Sequence, residues 1–157
     1  MKKLIYILSL LIFACGGKDE KSEAILKEAA KLHNEAVAVH DSLMPMMKKI
    51  NELESQLSVK KDSLVGKNDS LANQVQAEIV NMEAISAEMK TWMESIVEVP
   101  GNEEHHHHEG DGHEHKHDHS EKVEVTPDQM LEIQKEMKVN ILKIKEKVKN
   151  VLDKQAN

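Results

Sequence analysis

The sequence predicts an all-α protein, a long antiparallel helical hairpin joined by a third helix into a coiled-coil-like three-helix bundle. Three observations lead there: an apolar heptad seam over residues 25–57, a second seam after a break near Gly66, and a third after a Thr-Pro start at 126–127. In the first seam Ile25, Leu32, Val39, Met46 and Leu53 recur every seventh position. Ala29, Ala36, Leu43, Ile50 and Leu57 form a second series offset by four. At 3.6 residues per turn the two series share one face, and a helix striped in this way needs partner helices to bury it. Pro45 has no amide for the Asp41 carbonyl, yet the heptad stays in phase on both sides, so a kink within one long helix is expected, with a helix boundary as the alternative.

Between residues 58 and 70 the phase changes, with Lys60 and Lys67 where apolar residues would continue the seam and with Gly66 weakening the helix. A turn here folds the chain back into arms of nearly equal length. The alternative is one very long helix with a stutter, which would demand an oligomeric coiled coil. The second arm runs through Leu71, Val75, Met82, Ile85, Met89, Trp92 and Ile96, with Glu78 as a polar interruption, and closes near Pro100-Gly101. The hairpin is thus expected over 22–98, as helices at 22–57 and about 64–98, followed by a histidine-rich flexible loop over 99–125. The last element, within 126–157, has Thr126 as N-cap, Pro127 at the first helical position and Gln129 completing a capping box. Met130, Met137, Ile141, Ile144, Val148 and Val151 supply its seam, widened by Leu131, Ile133 and Leu142. Its surplus of lysine suggests that it lies over an acidic first helix.

The N-terminus speaks to location. Lys2 and Lys3 precede an apolar run that is too short to remain as a membrane span, the pattern of a signal peptide over 1–14. Ile12-Phe13-Ala14-Cys15 resembles the lipobox of bacterial lipoproteins, which implies cleavage before Cys15 and acylation of its sulfur. Two or more acyl chains hold a soluble domain on a bilayer, so residues 15–21 are expected to be a lipidated tether. Cys15 is the single cysteine, so no intrachain disulfide is available. Lys18-Asp19-Glu20 resembles the surface-export signal of Bacteroidetes lipoproteins, which implies an outer-membrane protein facing outward, with a periplasm-facing anchor as the alternative.

Composition narrows the function. The formal net charge is −7 and every basic residue is lysine, which argues against a nucleic-acid partner. No Ser/His/Asp or Glu/His arrangement at meaningful spacing and no phosphate-cradling glycine loop is present, so no enzyme is expected. The most unusual chemistry is His105, His106, His107, His108, His113, His115, His117 and His119, interleaved with acids and glycines. Neutral imidazoles on a flexible backbone suit Zn, Ni or Cu. A weaker metal alternative is His33, His40 and Met47 at seven-residue spacing with Met44 beside them, a set suited to copper; the bland reading places these side chains in packing and on a solvated flank.

The residues Leu32-His33-Asn34-Glu35, His40-Asp41-Ser42-Leu43-Met44-Pro45-Met46-Met47 and Met89-Lys90-Thr91-Trp92-Met93, with the lysine-rich helix 128–152, resemble a family of small flavobacterial lipoproteins often labelled as similar to viral A-type inclusion proteins. The resemblance covers most of residues 25–152 outside the histidine loop. It implies a helical lipoprotein of the envelope and carries no assigned active site. The expected function is therefore a membrane-anchored helical scaffold or interaction protein with a metal-binding histidine loop; the alternative is a dedicated metal-buffering or metal-delivery lipoprotein. Its expected partners are the lipid bilayer, through Cys15, and an envelope protein or a second copy.

Overall fold

The computed structural model describes residues 20–102 and 125–156. They form three helices, α1 (Glu20–Leu64), α2 (Asp69–Glu94) and α3 (Pro127–Ala156), with no strand among the described residues. This is the expected all-α three-helix bundle. The expected signal peptide over 1–14, Cys15 and all eight histidines from His105 to His119 lie outside the described residues.

The chain reverses through a four-residue turn between α1 and α2. Gly66 takes φ +73°, a left-handed conformation that suits glycine at a helix C-terminus. Its amide donates to Asp69 Oδ1 at 2.9 Å, and Asn68 caps α2 by accepting from the Leu71 amide at 3.1 Å. The hairpin is as expected, but the arms are not nearly equal: α1 has 45 residues and α2 has 26. α1 runs past the expected end at 57 because Lys60 and Lys61 stay at its surface, where no phase of the seam is needed. α2 stops at Glu94, short of 98. The Ser95 hydroxyl donates to the Trp92 carbonyl at 2.8 Å, and the β-branched Val97 and Val99 lead into Pro100, which disfavours helix at the residue before it.

Residues 95–102 continue from α2 as an irregular strap. Val99 is buried with Ala29 and Met130 in a small satellite core, and the Asn102 side-chain amide donates to Asn34 Oδ1 at 2.9 Å. α3 then starts beside the first third of α1 and runs parallel to it, antiparallel to α2: Met130 packs near Ala29, while Lys147 pairs with Glu88 and Gln155 with Glu78. Its start is the reciprocal capping box expected from sequence. The Thr126 amide donates to Gln129 Oε1 at 2.9 Å and the Gln129 amide to Thr126 Oγ1 at 3.3 Å.

Both other helices lean mainly on α1, and α2 and α3 meet each other least. Ala29, Ala36, Leu43, Ile50 and Leu57, the second expected series, are all buried, whereas Leu32, Val39, Met46 and Leu53 are half-buried. The deeper companion column is His33, His40 and Met47. In α2 the seam passes through Ala72 and Ile79, so the apparent interruption at Glu78 disappears; Glu78 faces solvent. α3 buries all six seam residues named from the sequence, plus Gln134. α1 continues unbroken through Pro45, where Asp41 and Pro45 are both exposed. α3 pairs its lysines with Glu35 of α1 and Glu88 of α2. α1 has eight acids against seven lysines and α2 five acids against one, so the strongly acidic surface that α3 meets belongs to α2.

Candidate functional site

A heptad seam tolerates few polar side chains, because each buried donor or acceptor needs a partner. Among the described residues three polar side chains are buried: His33 at 3 % exposure, His40 at 2 % and Gln134 at 0 %. With Trp92 they form a polar layer where α1, the end of α2, the strap and α3 come together. Gln134 lies at its centre. Its Nε2 donates to the Val97 carbonyl at 2.7 Å and lies 3.5 Å from Met130 Sδ, while its Oε1 is 3.2 Å from His33 Nδ1. The Val97 carbonyl can only accept, so the amide end of Gln134 must face the strap and the oxygen must face His33. His33 therefore carries its proton on Nδ1, and Nε2 points toward Glu98 Oε2 at 3.7 Å.

His40, one heptad further along α1, stacks on Trp92 with ring centroids 5.4 Å apart and planes 20° from parallel. Its Nδ1 is 3.2 Å from Asp41 Oδ1. The buried indole N–H of Trp92 donates to the Met137 carbonyl at 2.9 Å, which ties the last turn of α2 to α3. Outside the layer, Lys138 of α3 forms an ion pair with Glu35 of α1. The Lys138 ammonium holds the Glu35 carboxyl below the usual carboxylate range, and Lys31 adds to the same sense. Glu132 raises the Lys135 ammonium above its ordinary value through a 2.7 Å hydrogen bond. Both are surface interactions of small energetic consequence.

This geometry corrects the metal-centred readings. Among the described residues no group of three or more His, Cys, Asp or Glu could hold a metal ion. The set His33, His40, Met44 and Met47 does not converge. His33 and His40 are about 10 Å apart along the axis, at one heptad of 1.5 Å per residue. One is engaged by Gln134 and the other by Trp92; Met47 belongs to the main core, and Met44 is half-exposed. Nor are the histidines on a solvated flank. The expected function loses its metal centre, both as a scaffold with a metal-binding loop and as a metal-buffering or metal-delivery lipoprotein, and Zn, Ni and Cu are withdrawn as cofactors. His105, His106, His107, His108, His113, His115, His117 and His119 lie outside the described residues.

Gln134 is the residue that reading the sequence missed. Its signal was the seven-residue gap from Met130 to Met137, which leaves position 134 on the buried stripe; the same spacing puts His33 and His40 on the stripe of α1. The grooves around the bundle are shallow. One between α2 and α3 has a volume of about 420 Å³ and is walled by Glu88, Thr91, Asn140 and Lys147 over buried Trp92 and Ile144. No helix among the described residues is long and apolar enough to cross a membrane. Compared with protein-family models, with curated proteins and with solved structures, the chain finds no match.

Proposed function

We propose that this chain is a non-catalytic helical module, held at the outer membrane through acylated Cys15, that carries a protein-contact surface away from the bilayer. The observation that carries this reading is α1. It begins at Glu20, five residues after Cys15, and continues for 45 residues. At 1.5 Å per residue that is roughly 67 Å of continuous helix between the tether and the hairpin turn. The turn end has exposed apolar side chains: Val59 is 72 % and Val65 61 % exposed, the highest values among the large hydrophobic residues of the described chain. The buried polar groups, in contrast, are engaged with one another and hold the helices in place. The sequence resemblance to flavobacterial envelope lipoproteins supports the same placement, with an envelope protein or a second copy as partner.

Two measurements test the proposal. A palmitate analogue fed to cells should label the wild-type chain and fail to label Cys15→Ser; equal labelling of both rejects the anchor. Photo-crosslinking residues placed at Val59 or Val65 should then yield a discrete adduct on intact cells, while one at Val139 on the side of α3 should not. Adducts of equal yield from all three positions reject the turn end as the contact surface. Protease added to intact cells separates an outward-facing module, which is cleaved, from a periplasm-facing one, which is protected.

A further inference from the structure

The strap at residues 95–102 is fixed by few contacts, and one of them leads through Gln134 to a buried histidine. Val99 fills the satellite core, Asn102 bonds to Asn34, and Gln134 holds the Val97 carbonyl. His33 stands behind Gln134. In its neutral form it donates from Nδ1 to Gln134 Oε1, which leaves the lone pair of Nε2 directed at the Glu98 carboxylate 3.7 Å away, so that two acceptors face each other. One added proton turns this mismatch into a charge-assisted contact and leaves the Gln134 bond in place.

We propose that His33 is a proton-operated latch for the strap: protonation of Nε2 lets the imidazole hold Gln134 and Glu98 together, and loss of that proton loosens residues 97–102 from α1 and α3. The groups around it are few. The strap contributes Glu98, whose side chain is 74 % exposed. α3 contributes the uncharged Gln134 and Met130, and its Lys138 is engaged by Glu35. α1 contributes His40 one heptad on, set against Asp41 and Trp92. The latch gains its proton as pH falls. It closes on acidification.

The test is hydrogen exchange on the full chain between pH 8 and pH 5.5, with rates normalised to those of an unstructured peptide at each pH. The Asn102 amide, which donates to the Val99 carbonyl at 3.1 Å, reports the strap. Its protection should rise at least threefold on acidification in wild type and stay flat in both Glu98→Gln and His33→Gln. In Glu98→Gln the new amide can donate to the neutral ring. The eight histidines at 105–119 are retained in both variants, so any contribution from them survives there. Protection that is flat or falls in the wild type, or a wild-type rise that persists in both variants, overturns the latch. Imidazole ¹⁵N shifts give an independent reading: neutral His33 should carry its proton on Nδ1, and a neutral ring protonated on Nε2 rejects the proposal even if a variant fails to fold.

Discussion

The two ends of α1 are covered by different means. From about His40 to Leu64, α1 is met by a second helix; from Glu20 to about His40 an irregular strap takes that place. At the first end apolar side chains interdigitate in one continuous core that includes Leu43, Ile50, Ile79 and Ile85. At the other the strap buries Val99 and depends on directed bonds from Gln134 and Asn102. The difference follows from backbone chemistry. A helix satisfies its own amides and carbonyls and brings a face of side chains, whereas an irregular segment needs outside partners for its polar backbone and presents few side chains to bury. One end is therefore held by area and the other by specific donors and acceptors.

The sharpest way to break this comparison is to make holes at both ends. Leu43→Ala and Ile50→Ala, at residues with 0 % exposure, should each cost about 2–5 kcal/mol in urea unfolding. Val99→Ala should cost less and should raise exchange in residues 97–102 before global unfolding; a Val99→Ala loss equal to that of Leu43→Ala, in one cooperative transition, would show that the ends form a single unit. Next in size is the polar layer. Gln134→Leu leaves the Val97 carbonyl and the His33 N–H without their bonds and should cost about 1–3 kcal/mol for each group left unsatisfied. The double variant His33→Leu with Gln134→Leu should recover the share that belongs to the His33 N–H, since only the Val97 carbonyl then remains without its bond. No recovery would mean that the layer stabilises the bundle in its own right.

A smaller effect is expected at the start of α3. Thr126→Ala removes half of the capping box and should cost about 1 kcal/mol, read as a lower thermal midpoint with unchanged helicity. The smallest concerns acid. Glu35 has a lowered pKa in the folded chain, so its contribution is present above the ordinary value of 4.5 and is lost as pH falls through the lower folded value. Glu35→Gln should make the acid limb of the stability profile slightly shallower and leave stability at pH 7 close to that of wild type. A steeper acid limb would contradict the assigned direction.

What was legible in the sequence was the apolar half of the fold. Heptad spacing identifies Leu43, Ile50, Ile141 and Val148 as core because any helix that buries one must bury the rest. The Thr126, Pro127 and Gln129 start could be read because its bonds are local. The polar layer was not legible for the opposite reason. His33 and Gln134 are 101 residues apart, and their compatibility appears only when α3 is laid along α1. A histidine beside a seam reads as a ligand or a solvated flank until something is seen to cover it. The strap was hidden in the same way: Val97 to Val99 continue an apolar pattern, and only Pro100 and the partners waiting on α1 and α3 decide that they are not helix.

The path of the chain also sets an order of assembly. Asn51 and Ser86 meet across the hairpin at a separation of 35 residues, whereas Glu35 and Lys138 are 103 apart. By loop-closure entropy alone the longer connection costs about 1 kcal/mol more. α1 and α2 are moreover complete before residue 127 has been made. In a nascent chain the apolar stripe of α1, with Leu43 and Ile50, has no α3 to cover it until residues 127–156 are made. During synthesis that stripe is the part of the molecule most exposed to wrong partners, and the arrival of the last helix is the step that removes the hazard.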